Sequence, residues 1–179
     1  MAELAKLFGA LDFAAQQHIF QRRKGTFNIP YINHPIRVCY LLIQCGETDP
    51  DLLIAALLHD VVEDTQVTLE ELTQQFGEAV SRIVMEVTDN MALPKEERKR
   101  LQVEKAPYLS HPARLIKVAD KACNMEDLLR YPIWWSKSRK IAYFQWAYSV
   151  FEHCKGLNEK LDAYFLDVYQ RGMQQWESQ

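Results

Sequence analysis

The sequence predicts an all-α protein, and three observations carry that prediction. Apolar residues recur at three- and four-residue spacing through most of the 179 residues. No segment shows the strict alternation of a half-buried strand. The periodic segments are separated by helix-ending glycines and by helix-opening prolines and caps, not by hairpin turns. The expected architecture is a single-domain helical bundle over residues 1–179, with eight or nine helices around one core.

Residues 3–21 carry Leu4, Leu7, Phe8, Leu11, Ala14, Ala15, His18 and Ile19 at helical spacing, which predicts an amphipathic first helix. His18 falls on the apolar stripe and reads as a core or edge histidine. Gln21-Arg22-Arg23-Lys24-Gly25 follows, and the stretch from Thr26 to Asn33, with Asn28 and Pro30, predicts a loop. Three adjacent cations suit a helix C-terminus, and they gain a further role only if the loop folds over a phosphate. Pro35 suits the first position of a second helix, which predicts that His34 stands outside helical geometry at its entrance. Gly46 ends that helix.

Asp49 caps and Pro50 opens a third helix. Its apolar run from Leu53 to Leu58 predicts burial, and the same helix is expected to continue through His59, Asp60, Glu63 and Asp64. Four-residue spacing then sets His59 under Glu63 and Asp60 under Asp64. Unpaired charges in a buried helix cost a large part of a domain's marginal stability, so these groups need a partner. A divalent ion is the economical one, because it takes imidazole and carboxylate together. The plain alternative is a helix end with its acids in solvent.

Thr68-Leu69-Glu70-Glu71 is a capping box that opens a short helix, and Gly77 ends it. Residues 78–89 form an amphipathic helix on Val80, Ile83, Val84 and Val87. After Pro94, the run Lys95-Glu96-Glu97-Arg98-Lys99-Arg100 starts a charged helix, the pattern of a solvated face. Pro112 opens a long helix in which Lys117, Asp120, Asn124 and Asp127 form a polar stripe. Asp120 sits among apolar neighbours and shares the third helix's need for a partner. Tyr131-Pro132 stops this helix. Residues 137–155 form another, rich in aromatics, on which Arg139 and Tyr143 lie one turn apart and share a face. Gly156 ends it, Asn158 caps the last helix, and the tail is expected to fray near Gln174.

Composition narrows the function classes. The net charge of −3 argues against non-specific nucleic-acid binding, which needs a basic excess, but leaves room for a local basic pocket. Cys39, Cys45, Cys123 and Cys154 show no CxxC spacing and read as reduced core thiols of a cytoplasmic protein. No stretch has the length of a membrane span and the first twenty residues lack a signal-peptide core, so neither a membrane nor a nucleic acid is an expected partner. A homodimer is left open.

Three motifs then stand in order: Tyr31-Ile32-Asn33-His34-Pro35, Ala55-Ala56-Leu57-Leu58-His59-Asp60-Val61-Val62-Glu63-Asp64-Thr65, and Val118-Ala119-Asp120-Lys121-Ala122-Cys123-Asn124. A separated His, an adjacent His-Asp and a distant Asp give the ligand order of the HD metal-dependent phosphohydrolases. The three motifs together resemble the hydrolase domain of RelA/SpoT-type alarmone enzymes, and the single-domain Mesh1-like small alarmone hydrolases above all. The resemblance is strongest over residues 10–155.

It implies a Mn²⁺-dependent hydrolase of the stringent-response alarmone guanosine 3′,5′-bis(diphosphate), ppGpp, and of pppGpp, releasing GDP or GTP and pyrophosphate. It implies His34, His59, Asp60 and Asp120 as metal ligands, and Glu63 with Asp64 as the catalytic acids that position and deprotonate water. Arg23, Lys24, Tyr31, Lys95, Asn124, Arg139 and Tyr143 fall where the family contacts its nucleotide. The ligand set suits Mn²⁺ chemically, although Fe²⁺, Co²⁺ and Zn²⁺ accept similar donors. Two other readings keep the fold: an NADPH 2′-phosphatase or other nucleotide phosphohydrolase, and a non-catalytic nucleotide-sensing domain. Ala122-Cys123 replaces a bulkier apolar pair, which either enlarges the nucleotide pocket or is repacked. The synthetase and regulatory domains of the long enzymes are not expected, so hydrolysis alone is implied.

Overall fold

The computed structural model describes residues 2–25 and 27–177, less the side chains of Ala2 and Glu177. It contains α1 (Ala2–Gln17), α2 (Asn33–Gln44), α3 (Pro50–Leu58), α4 (Val61–Asp64), α5 (Leu69–Phe76), α6 (Glu78–Val87), α7 (Lys95–Lys105), a 3₁₀ turn (Ala106–Tyr108), α8 (His111–Arg130), α9 (Lys137–Cys154) and α10 (Glu159–Glu177). The all-α expectation holds, with ten α-helices among the described residues. None is long and apolar enough to cross a membrane.

Two helices organise the rest. Every residue of α3 from Leu52 to Leu58 is buried, because α1, α2, α6 and α8 surround it and leave no face for solvent. The Asp49 carboxylate accepts from the Asp51 amide and Pro50 occupies the first turn, as the sequence predicts. α8 packs against α10, α2, α9 and α6. Ser110 caps it, its side chain accepting from the Ala113 amide. Its apolar residues face this core, and the polar residues among them are carried inside. α9 and α10 meet closely at Gly172, where an added Cβ would lie 2.1 Å from Phe144. Phe151 and Phe165 stack beside that crossing with centroids 4.1 Å apart.

The capping box of α5 forms as expected, and α5 ends at Gly77 with φ of 92°. Four expectations change. The first helix stops at Gln17, and the segment after it doubles back through an antiparallel bridge between Arg22 and Pro30. Within this loop the Thr26 position lies outside the described residues. The second helix starts at Asn33, so His34 and Pro35 both lie in its first turn. Pro35 loses nothing there, since first-turn amides have no intrahelical acceptor. The third helix breaks after Leu58: His59 and Asp60 form a turn, and α4 restarts at Val61. The last helix runs on to Glu177, past the fraying expected near Gln174. Ala122 and Cys123 are buried in the core, so their small size is absorbed by repacking and does not enlarge a pocket.

Candidate active site

The break after α3 builds the site. In a continuous helix His59 and Asp60 would point to different sides. The turn lets both side chains converge on α2 and α8 instead. His59 Nδ1 lies 2.8 Å from the Ala56 carbonyl, which fixes Nδ1 as the donor and leaves the Nε2 lone pair facing inward. His34 Nε2 lies 3.0 Å from Asp120 Oδ1 and 3.8 Å from Asp60 Oδ2. His59 Nε2 lies 3.0 Å from Asp60 Oδ2 and 3.9 Å from Asp120 Oδ1. Donor atoms of His34, His59 and Asp120 all fall within 4.8 Å of one another.

These residues fit a divalent ion on one observation in particular. His59 Nε2 is buried and has no hydrogen-bond partner, although a carboxylate oxygen is 3.0 Å away. The oxygen is close but lies in the wrong direction for a hydrogen bond. His34 Nε2 is hydrogen-bonded to Asp120 Oδ1, but a buried imidazole nitrogen left without a partner beside two carboxylates is placed as a ligand. The charge pattern agrees. Burial favours neutral acids, yet Lys121 and the two imidazoles override it and hold Asp120 well below the usual carboxylate range. Burial likewise opposes the charge on Asp60, and a protonated His59, raised against burial to about 9 by Asp60 and Asp120, outweighs it; a divalent ion would take that proton's place. His34 is pushed down by burial and by Arg23, which keeps it a neutral donor.

Asp60 links this cluster to a cavity of about 410 Å³ lined also by Arg23, Lys24, Tyr31, Glu63, Asp64, Asn124, Asp127 and Tyr143. The Arg22–Pro30 bridge brings Arg23 and Tyr31 over α8. The Tyr31 hydroxyl donates to Asp60 Oδ2 at 2.6 Å, and burial together with Asp60 keeps that phenol protonated. Arg23 donates to Asp127 Oδ2 at 2.8 Å and to Asn124 Oδ1 at 2.6 Å. Asn124 in turn donates to Asp120 Oδ1 at 2.5 Å, and Arg37 holds the other oxygen of Asp127. A cation in the cavity is thus connected by side chains to a proposed ligand.

A second cavity, of about 300 Å³, adjoins the first and is lined by Lys24, Lys95, Arg98, Lys99 and Arg139 along with Asp89, Trp135 and Trp146. Lys24, Glu63, Arg98, Trp135 and Tyr143 line both cavities, so Glu63 stands at their junction. Its Oε2 accepts from the Asp89 amide at 2.9 Å and its Oε1 lies 3.9 Å from Arg98. Burial raises Glu63 to about 7, against the pull of the Asp89 amide. Asp64 differs from its neighbour. It is exposed and accepts from Gln21 Nε2 at 2.8 Å, and Asp60 and Glu63 are half-buried, so of the four groups expected to be buried only His59 is fully so.

Every residue singled out in the sequence therefore lies in the cluster or lines one of the two cavities, with Lys95 and Arg139 in the second alone. Sequence reasoning missed Arg98, Lys99, Asp89, Trp135 and Lys121. Arg98 and Lys99 lay inside a charge run that reads as a solvated face. Asp89 lay at the end of a predicted helix, with no signal of its own.

A helical bundle that gathers a lone histidine, a His-Asp turn and a distant aspartate on one point has the arrangement of an HD fold, with donor atoms grouped as for a divalent metal. Residues 10–142 match the HD domain model, and the chain belongs to that family. It is 50% identical over 175 residues to human guanosine-3′,5′-bis(diphosphate) 3′-pyrophosphohydrolase MESH1, covering 96% of this chain and 98% of that one. The Drosophila melanogaster protein of the same name is 44% identical over 172 residues, covering 94% and 96%. A solved structure described as a metazoan ortholog of SpoT that hydrolyzes ppGpp superposes with a TM-score of 0.90 at 43% identity, covering 93% of this chain and 95% of that one.

Proposed function

We propose that this chain is a guanosine 3′,5′-bis(diphosphate) 3′-pyrophosphohydrolase, converting ppGpp to GDP and pppGpp to GTP with release of pyrophosphate. The observation that carries this reading is the pair of cavities meeting at Glu63. One opens on the His/Asp cluster and the other is lined by five cations. A nucleotide with phosphate arms at both 3′ and 5′ needs that division: one arm at the reacting centre, the other neutralised nearby. The names of relatives that align along almost the whole chain support the same substrate.

His34, His59, Asp60 and Asp120 would hold a divalent ion, and Mn²⁺ suits this mix of imidazole and carboxylate. When bound, the ion supplies Lewis-acid polarisation of the phosphoryl oxygen and activates water. Glu63 accepts the proton of the attacking water, and its Oε2 is kept in place by the Asp89 amide. Asp64, steadied by Gln21, orients that water from the open side. Water oxygen bonds to the phosphorus attached at O3′, the P–O3′ bond breaks, and the proton taken up by Glu63 passes to O3′, so that pyrophosphate departs from a free 3′-hydroxyl. Arg23 and Asn124 flank the 3′ arm, while Lys24, Lys95 and Arg139 take the 5′ phosphates. Tyr31 and Tyr143 complete the nucleotide's walls. The four free cysteines, all buried, accord with work in the reducing cytoplasm.

The test is direct. Metal-stripped protein reconstituted with Mn²⁺ is expected to release GDP and pyrophosphate in equal amounts from ppGpp, and to lose that activity in a chelator. Release of orthophosphate from NADPH at a higher kcat/KM than pyrophosphate from ppGpp would replace the reading with a 2′-phosphatase. Binding of ppGpp without turnover, with metal present, would replace it with a sensor.

A further inference from the structure

The two oxygens of Asp120 are held in different ways. Oδ1 faces the imidazoles, 3.0 Å from His34 Nε2 and 3.9 Å from His59 Nε2, and accepts from the neutral Asn124 amide at 2.5 Å. Oδ2 is taken by the ammonium of Lys121 at 2.7 Å. Lys121 is only 5% exposed, and its Nζ lies 4.8 Å from the centroid of the Trp146 ring. Trp146 is itself anchored, since its Nε1 donates to the Lys99 carbonyl at 3.1 Å. Lys121 is not among the residues lining either cavity, and its one hydrogen-bonded contact with the cluster is to Asp120.

Its neighbours show that this arrangement is particular to one carboxylate. Lys117, the other buried lysine of α8, directs its ammonium to the Val87 carbonyl at 2.6 Å and secures the end of α6. Asp60, the second carboxylate of the cluster, meets a neutral donor: the Tyr31 hydroxyl sits on Oδ2, the same oxygen that approaches both imidazoles. An ammonium on the second oxygen competes with an ion for that oxygen and so disfavours chelation through both. Large oxygen-seeking ions such as Ca²⁺ favour bidentate carboxylates and six to eight ligands, whereas smaller transition ions accept imidazole and single oxygens. The ammonium also draws charge from the carboxylate, so the ion keeps more of its Lewis acidity.

On the reading of this cluster as a divalent-ion site, we propose that Lys121 is a positioning residue that restricts Asp120 to one ligating oxygen, Oδ1, and so sets the site's preference for a small transition ion over Ca²⁺. Helical geometry points adjacent residues to different faces, and only the long lysine side chain, closed in beneath Trp146, brings Lys121 back onto its neighbour.

Calorimetric titration of the metal-free full chain with Mn²⁺ alone and with Ca²⁺ alone tests this on the wild type, Lys121→Met and Lys121→Arg. In Lys121→Met the ratio of the Ca²⁺ to the Mn²⁺ dissociation constant is expected to fall by about tenfold, the scale of changes around a metal's ligands. With Mn²⁺, kcat on ppGpp falls and KM stays close to wild type. Lys121→Arg keeps the charge and restores most of the ratio. An unchanged ratio in folded Lys121→Met overturns the proposal, and so does equal weakening of both ions, which marks a merely structural lysine. Should Lys121→Met fail to fold, a crystal structure of the manganese-loaded wild type decides: Oδ1 alone on the ion supports the proposal, and both oxygens overturn it. Wild type that binds neither ion saturably, or His34→Ala that binds as wild type does, defeats the metal reading itself and this proposal with it.

Discussion

α7 and α8 are near neighbours in the chain and opposites in construction. α8 buries thirteen of its twenty residues, among them Lys117, Asp120, Lys121 and Asp127. α7 buries none of its eleven. α8 holds its polar side chains by paired contacts inside the protein. α7 presents Lys95, Arg98 and Lys99 to the second cavity and is attached through few partners, such as the Trp146–Lys99 bond and Gln102 to Asp89 at 2.6 Å. The difference teaches a division of labour. Groups that must converge within an ångström are set where the core closes around them, Asp120 inside α8 and His59 at the end of α3, and neighbours fix their rotamers. Groups that only neutralise charge are set on a solvated element, where a loose fit costs little and the substrate can enter.

The sharpest way to break this comparison is to remove a ligand. His59→Ala is expected to lower kcat by about 10⁴-fold, since an ion's several kcal/mol of charge stabilisation are lost together. Retention of a folded circular-dichroism spectrum would separate this from collapse. Next comes Glu63→Gln, with an expected loss of about 10²–10³-fold in kcat.

The same residue carries a pH signature. Glu63 must be ionised to accept a proton, so with its carboxyl raised to about 7, kcat/KM should climb as pH rises through 7. Glu63→Gln should flatten that limb. For stability the sign is opposite. A raised carboxyl favours the folded state below its ordinary range and loses that advantage as pH rises through 7. Metal-free Glu63→Gln should therefore be more stable than wild type at pH 8, by at most about 3 kcal/mol, and the two should converge near pH 4, below the ordinary carboxyl value.

On the α7 side the effects are smaller and fall elsewhere. Arg98→Ala is expected to raise KM by about tenfold with kcat nearly kept, and the gap should narrow in high salt. A larger fall in kcat than rise in KM would mean that α7 takes part in the chemistry and would end the division proposed above. The smallest effect is that of Trp146→Phe, which keeps the ring but not the indole donor. It should cost about 1 kcal/mol or less. Hydrogen exchange should quicken across α7 while α8 stays protected.

Much of this was readable in the chain. Helical periodicity, the Thr68 capping box and the prolines at 50 and 112 marked most elements, because those signals are local. The expensive charges of His59, Asp60 and Asp120 marked the site, because buried titratable groups demand partners wherever they sit. What escaped were contacts that cross the chain. The turn at His59 and Asp60 has no glycine or proline to announce it. The inward reach of Arg98 hid in a charge run whose local pattern is that of a solvated face.

By itself, then, the sequence determined the helices, the core and the set of groups that required a common partner, since spacing and burial cost follow from residue order alone. Tertiary structure alone decided which way those groups point. It broke the third helix after Leu58, folded the Arg22–Pro30 segment over α8 and set Lys121 on Asp120. The physical reason is that direction depends on packing between elements remote in the chain, and no local signal encodes it.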